Sequence, residues 1–115
     1  MANTFKVVTK AGVTSADVIY TVAGSTTTVV LGLIIGNTTS SSINATITLG
    51  TDTANRAGAN NETNQDVELI TSTPIPGNSS LEFMGGNKIV METTDTLSVT
   101  GSGATDIALS VLEIT

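Results

Sequence analysis

The sequence predicts an all-β protein, an antiparallel β-sandwich or jelly roll of about eight to ten short strands. Three observations predict this class. Short apolar, β-branched segments are separated by Gly, Asn, Asp and Pro turn residues at intervals of about eight to twelve positions. Several segments alternate apolar and polar residues, as half-buried strands do. Threonine, which suits a pleated and half-exposed surface, is strongly over-used.

The longest apolar run, residues 29–35, is predicted to be the central strand of the core. It is short, rich in β-branched residues, preceded by Thr residues and closed by Gly36 and Asn37, which favours a strand over a helix. Because its apolar residues do not alternate with polar ones, we expect this strand to be buried on both faces.

The other strands follow from alternation and from the turn residues between them. Residues 43–49 alternate most clearly, with apolar side chains at every odd position. Two short strands flank Gly-Gly-Asn and are predicted to pair as a hairpin. The predicted strands comprise residues 4–9, 17–22, 29–35, 43–49, 66–72, 79–84, 88–91, 96–100 and 105–114.

Two connections differ from ordinary turns. Residues 50–64 form a polar stretch longer than most loops, which is either a solvated tip or an arm that reaches a neighbouring subunit. In the corner 73–78, Pro74 and Pro76 flank Ile75 and enforce an extended, edge-like segment. Gly77 and Asn78 then supply a turn.

Composition limits the possible functions of this single predicted domain, residues 1–115. The net charge is −6, and the four basic residues are scattered, so we expect no nucleic-acid partner. The chain has no His and no Cys, which removes the usual general base, the commonest metal ligand and the nucleophile pairs built on them. We therefore predict a non-enzymatic protein with no catalytic, cofactor-binding or metal-binding residues.

The acidic residues offer two weaker alternatives. Asp52, Glu62 and Asp66 surround the long loop, and Glu92 and Asp95 share a turn. A glycosidase would need two such carboxylates across a cleft, usually with aromatic platforms, and the aromatic content is 3%. A calcium site built from Asp52, Asp66 or Asp95 with loop carbonyls is the better alternative, although the D-x-D-x-D-G spacing is absent.

Neither a membrane span nor a signal peptide is expected. No apolar run reaches the length of about 18 residues that a spanning helix needs. The first residues lack a basic segment followed by an apolar one. We therefore expect synthesis in a cytoplasm and no membrane partner.

Three segments, taken in order, resemble small virion structural proteins of tailed bacteriophages, particularly those of marine bacteria and cyanobacteria. They are a Thr-rich approach to a buried strand at 20–33, a Pro-Ile-Pro-Gly corner at 74–82 and a Leu-Glu-Ile-Thr end within 109–115. The resemblance implies a β-sandwich present in many copies on the virion. It implies a capsid decoration or cement protein, often trimeric, that binds the major capsid protein lattice. A neck, collar or tail component is the alternative.

Subunit contacts are expected at the first strand, in the long loop and at the proline corner. Residues 2–10 are also a candidate for a strand donated to a neighbour. The remaining alternative is a carbohydrate- or surface-binding module, which the scarcity of aromatic residues disfavours. The predicted contact residues are Phe5, Val7, Arg56, Asn60, Asn61, Pro74, Ile75 and Pro76.

Overall fold

Nine β-strands and no helix occur in the residues that the computed structural model describes, which are 2–51, 65–84 and 87–115. Each predicted strand overlaps one of the nine, so the all-β prediction is confirmed. The strands are β1 (Asn3–Val13), β2 (Asp17–Thr21), β3 (Thr27–Asn37), β4 (Ile43–Thr51), β5 (Gln65–Ile75), β6 (Ser80–Phe83), β7 (Ile89–Met91), β8 (Thr96–Gly101) and β9 (Thr105–Ile114).

The strands form two antiparallel sheets, with the order β1-β9-β3-β6 in sheet A and β2-β8-β4-β5 in sheet B. Strand β7 also pairs with β3. When β6 and β7 are counted as one interrupted strand, each pair of neighbouring strands lies, along the chain, inside the pair before it. This is the arrangement of a long hairpin whose turn lies between β4 and β5. Rolling that hairpin into two sheets gives the connectivity of a jelly roll, as the sequence predicted.

The core lies between the two sheets and is aliphatic, as the composition requires. Strand β3 and strand β9 face it from the middle of sheet A, while β4 and β8 face it from the middle of sheet B. Its buried side chains include Val30, Leu33, Ile35, Ala45, Ile47, Leu97, Val99, Ile107, Leu109 and Val111.

Strand β3 is buried on one face only, so the expectation of two buried faces is wrong. A β-bulge between Val30 and Gly32 shifts the register against β9, and both Val30 and Leu33 point into the core. The bulge explains why Val30 and Leu33, three positions apart, share a face, and the run does not alternate because Val29 and Ile34 on the outer face are apolar as well. On the other face, Ile34 is 45% exposed, because none of the described elements covers that side of sheet A.

The predicted hairpin between β6 and β7 is also wrong. Both strands pair antiparallel with β3, β6 along residues 33–36 and β7 along residues 28–30. They therefore run in the same direction and lie end to end at one edge of sheet A. The Gly-Gly-Asn sequence lies at the interruption between them, and Gly85 and Gly86 are outside the described residues.

The turn at Gly77 and Asn78 is confirmed. Asn78 has a φ of 57°, a conformation that Asn tolerates better than most residues. A Cβ at Gly77 would collide with the backbone carbonyl of Ser40, so this close approach requires glycine. Pro74 lies in β5, which forms an edge of sheet B, as prolines in strands usually do.

A single buried amide, that of Asn37 at the end of β3, joins two segments at this corner. Its Nδ2 donates to the carbonyl oxygens of Ser41 at 2.8 Å and Ile75 at 3.0 Å. Its Oδ1 accepts from the backbone N–H of Thr39 at 2.9 Å and from the Thr39 hydroxyl at 2.7 Å. The side chain thus satisfies polar groups that would otherwise be left without partners at a buried site.

Replacing this amide should destabilise the fold. We expect Asn37→Ala to lower the free energy of unfolding by about 2–3 kcal/mol, because several hydrogen bonds are lost and buried carbonyl groups are left unsatisfied. Chemical denaturation monitored by circular dichroism measures the change. Asn44→Ala, at an exposed position of β4, is the matched control and should cost less than about 0.5 kcal/mol. Equal losses in the two variants would contradict this role for Asn37.

Candidate interaction surface

An apolar row crosses the outer face of sheet A. We define the apolar row as Phe5, Leu112, Val29 and Val90. Phe5 pairs with Leu112, Leu112 with Val29, and Val29 with Val90, so the four side chains lie side by side on neighbouring strands. Phe5 at one end is 74% exposed and Val90 at the other end is 54% exposed. The row therefore presents apolar area to the outside across four strands.

The rest of this outer face is also low in charge. Ile34 lies on it, paired with Ala108 on one side and Glu82 on the other. Small residues such as Gly32 and Ala108 line shallow grooves beside Ile34. The charged side chains Glu82 and Asp106 lie toward the end of the sheet opposite the apolar row. An apolar patch with charge displaced to its margin is typical of the buried centre of a protein interface.

A cluster of polar side chains lies between the two sheets at the β1 edge of the sandwich. It is on the inner side of sheet A, beneath the apolar row. The Tyr20 hydroxyl donates to Oε2 of Glu113 at 2.5 Å and lies 2.8 Å from the Thr28 hydroxyl. Lys6 Nζ lies 2.7 Å from Oε1 of Glu113. Because Glu113 is on β9, Tyr20 on β2 and Lys6 on β1, one carboxylate joins three strands from both sheets.

The cluster shifts the pKa values of its members in opposite directions. Hydrogen bonds from Lys6, then from Tyr20, hold the pKa of Glu113 below its usual range. Burial, followed by the hydrogen bond to Glu113, raises the pKa of Tyr20 to about 12. At neutral pH, Glu113 is therefore ionised and Tyr20 is neutral, which are the states that the observed hydrogen bonds require.

Of the predicted contact residues, Phe5 and Val7 lie on β1 and are strongly exposed, at 74% and 63%. Both point to the outer face of sheet A, where Phe5 begins the apolar row. Residues 2–10, which we considered as a donated strand, are paired with β9 of the same chain. In this arrangement, the free side of β1 rather than the whole strand is available to a neighbour.

The proline corner presents only part of the predicted contact surface. Pro74 and Pro76 are exposed. Ile75 between them is 1% exposed and belongs to the core, so its side chain cannot be a subunit contact in this fold. Strand alternation explains the correction, because two outward prolines place the residue between them inward. The three predicted loop contacts Arg56, Asn60 and Asn61 lie outside the described residues.

Several exposed apolar residues of this face were missed. The sequence predicted Ile107, Leu109 and Val111 as buried and left Leu112 as a further core residue. The signal that could have placed Leu112 outside is its parity, since it alternates with Val111 and Leu109. Val90 sits in a strand of three residues, which is too short for alternation to show a face.

The calcium alternative gains no support from the described residues. Among them, no group of three or more His, Cys, Asp or Glu side chains is placed to hold a metal ion. Asp95, one of the calcium candidates, is buried and accepts a hydrogen bond from the Glu92 backbone N–H at 2.9 Å, which locks a turn. Asp52 is not among the described residues.

The described part of the chain also contains no helix long and apolar enough to cross a membrane.

Comparison with known proteins identifies no family. No family model and no curated protein matches this chain. One solved structure, from work describing Bacillus endospore appendages as disulfide-linked pili, aligns with 97% of this chain and 84% of its own chain. The sequences are 13% identical and the TM-score is 0.48. A likeness at this level does not bear on function.

The polar cluster makes stability dependent on pH at the acid end. Since the pKa of Glu113 is lower in the folded state, its contribution is present above the ordinary carboxyl pKa of about 4.3 and is lost as pH falls below it. We expect Glu113→Gln to cost about 1 kcal/mol at pH 7 and to flatten the loss of stability between about pH 5 and pH 3. Urea denaturation across this range measures both. Parallel pH profiles for the two proteins would contradict the assignment.

At alkaline pH, the change of stability with pH has the opposite sign. The pKa of Tyr20 is higher in the folded state, so its contribution is present below its ordinary pKa of about 10 and is lost as pH rises toward about 12. We expect Tyr20→Phe to remove this alkaline loss while leaving the acid profile of Glu113 in place but weaker. Ultraviolet titration of the single tyrosine checks the Tyr20 pKa directly. A Tyr20 pKa near 10 would contradict the expectation.

Proposed function

We propose that this chain is a non-enzymatic structural protein of a tailed-phage virion, a capsid decoration protein that packs against the major capsid protein lattice. The observation that carries the proposal is the apolar row together with Ile34, an exposed and weakly charged patch on one face of a rigid sandwich. Such a patch is stabilised when a neighbour removes it from water, at about 25 cal/mol for each Å² of apolar area.

The mechanism follows from mass action. A subunit that binds the assembled lattice and not the separated capsid proteins stabilises the assembled state. The fold contributes by holding the patch rigid, since the outward side chains of sheet A are anchored by buried neighbours in the same strands. Jelly rolls also serve lectins and enzymes, so it is the surface and the phage resemblance, rather than the fold, that favour this function.

The number of copies per virion distinguishes a capsid decoration protein from a neck, collar or tail component. Mass spectrometry of density-gradient-purified virions, from the phage that encodes the chain, should detect the protein in amounts comparable to those of the major capsid protein. A few copies per particle would instead place it in the neck, collar or tail. Complete absence from purified virions would overturn the proposal, and binding on a glycan array would then favour the carbohydrate-binding alternative.

The patch itself can be tested with matched substitutions. We expect the double variant Ile34→Thr with Val90→Thr to reduce occupancy on virions by about tenfold, because two exposed apolar side chains lose their gain from burial. Val18→Thr is the control. Val18 is 47% exposed, close to the 45% of Ile34, but lies on sheet B.

Quantitative sedimentation of each variant with virions that lack the protein measures occupancy. All three substitutions keep β-branched side chains, so the folded variants should be comparable in stability. If Val18→Thr weakens binding as much as the double variant does, the contact face is not sheet A.

A further inference from the structure

The free edge of β1 differs from the other sheet edges. Strand β2 has only five residues and carries a bulge. Strand β5 carries Pro74 and two register shifts, and the edge formed by β6 and β7 is interrupted. These features discourage pairing with another chain. Strand β1, by contrast, keeps an unbroken register with β9 from Asn3 to Lys10.

The backbone of β1 offers hydrogen-bonding groups along this edge. Ala2 and Thr115 exchange both backbone hydrogen bonds, at 3.1 Å and 2.9 Å. In an antiparallel ladder such pairs alternate, so the even-numbered residues of β1 bond to β9. The N–H and C=O groups of Asn3, Phe5, Val7 and Thr9 therefore point away from β9, where the described structure provides no neighbouring strand.

We propose that β1 pairs antiparallel with β1 of a second copy of this chain, about a two-fold axis at Phe5. This pairing joins the two copies of sheet A into one continuous sheet. Phe5 lies opposite Phe5 of the second copy, and Asn3 lies opposite Val7 of the second copy. Residues 2–8 are paired, with about six new hydrogen bonds. The contact is isologous, because each copy uses the same edge.

This register is favoured by the side chains on the outer face. Phe5 is the most exposed large apolar residue in the described part of the chain and ends the apolar row at the free edge. Placing it opposite its counterpart makes an aromatic cross-strand pair and connects the apolar rows of both copies across the axis. The paired edge therefore continues an apolar surface that already exists within each copy.

Charge on the inner face excludes the register whose axis lies at Lys6. An axis at Lys6 would set two ammonium groups directly opposite each other, which is destabilising. With the axis at Phe5, Lys6 lies opposite Thr4 of the second copy, and Lys10 lies beyond the paired span. Inward lysines on an edge strand usually discourage pairing. Here Glu113, at 2.7 Å, already neutralises Lys6.

The pairing deepens the proposed function by naming one neighbour, but its test does not depend on virions. We expect a concentration-dependent dimer in light scattering and sedimentation velocity of the purified chain, and not the trimer that the phage resemblance implies. Val7→Pro should weaken the dimer by about tenfold or more, since it removes an N–H that points to the second copy and not to β9. Val7→Thr keeps that N–H and is the control.

Single cysteines test the register, because the natural chain has none. We expect a mixture of the Asn3→Cys and Val7→Cys proteins, oxidised with diamide, to form a mixed disulfide dimer. Opposed residues in a hydrogen-bonded pair have Cα atoms about 5.5 Å apart, within the range for a disulfide. Either variant alone should cross-link far more slowly, since the Cα atoms of its two cysteines lie about 14 Å apart in this register.

Each outcome decides the proposal. A dimer that is lost in Val7→Pro, with preferential mixed cross-linking, supports it. Overturning results are a monomer at all concentrations, a trimer, equal dimerisation of folded Val7→Pro and wild type, or faster cross-linking of one cysteine variant alone. Thermal unfolding of Val7→Pro verifies that it is folded. Because Ile34→Thr and Val90→Thr leave β1 intact, failure of the β1 pairing and failure of virion binding are distinguishable.

Discussion

The pairing of β3 with β9 is the interaction on which the rest of this structure depends. It joins a strand in the first third of the chain to β9 over a ladder that runs from Thr27 to Asn37. Because β9 also pairs with β1, the ladder holds three strands of sheet A together and turns their buried faces toward sheet B. Long-range contacts of this kind are entropically costly to form, and the core side chains of both strands must offset that cost.

Local patterns predicted the strands well and their neighbours poorly. Alternation and turn residues are properties of a few adjacent residues, so segments such as 43–49 could be assigned from the sequence. Which strands pair with each other is determined by residues that are far apart in the sequence. The turn sequence at 85–87 indicated a hairpin, but β6 and β7 both pair with β3, about fifty and about sixty residues earlier in the chain. The Asn37 amide was equally hidden, since its partners at Ser41 and Ile75 meet only in the folded corner.

The exposure of individual side chains was equally difficult to predict from the sequence. Ile34 lies in a run that reads as fully buried, and its exposure depends on the absence of a covering layer over that side of sheet A in the described structure. The flanking prolines predict a surface contact at Ile75, although alternation places its side chain inward. Phe5 and Val7 were predicted as contact residues of the first strand, and both side chains are exposed. What a sequence could not give is the alignment of Phe5, Leu112, Val29 and Val90 across four strands.

The position of β9 between β1 and β3 also sets the order of events during synthesis. Strands β1 and β3 leave the ribosome long before residues 105–114, so until then each lacks the strand β9 with which it pairs. The nascent chain must keep two unpaired strand edges apart from other chains until β9 is made, and folding of sheet A is completed only after translation of that strand. On a messenger that several ribosomes translate at once, neighbouring nascent chains would meet in this state. Slow synthesis or crowding at that stage would therefore favour exchange of strands between copies over closure within one.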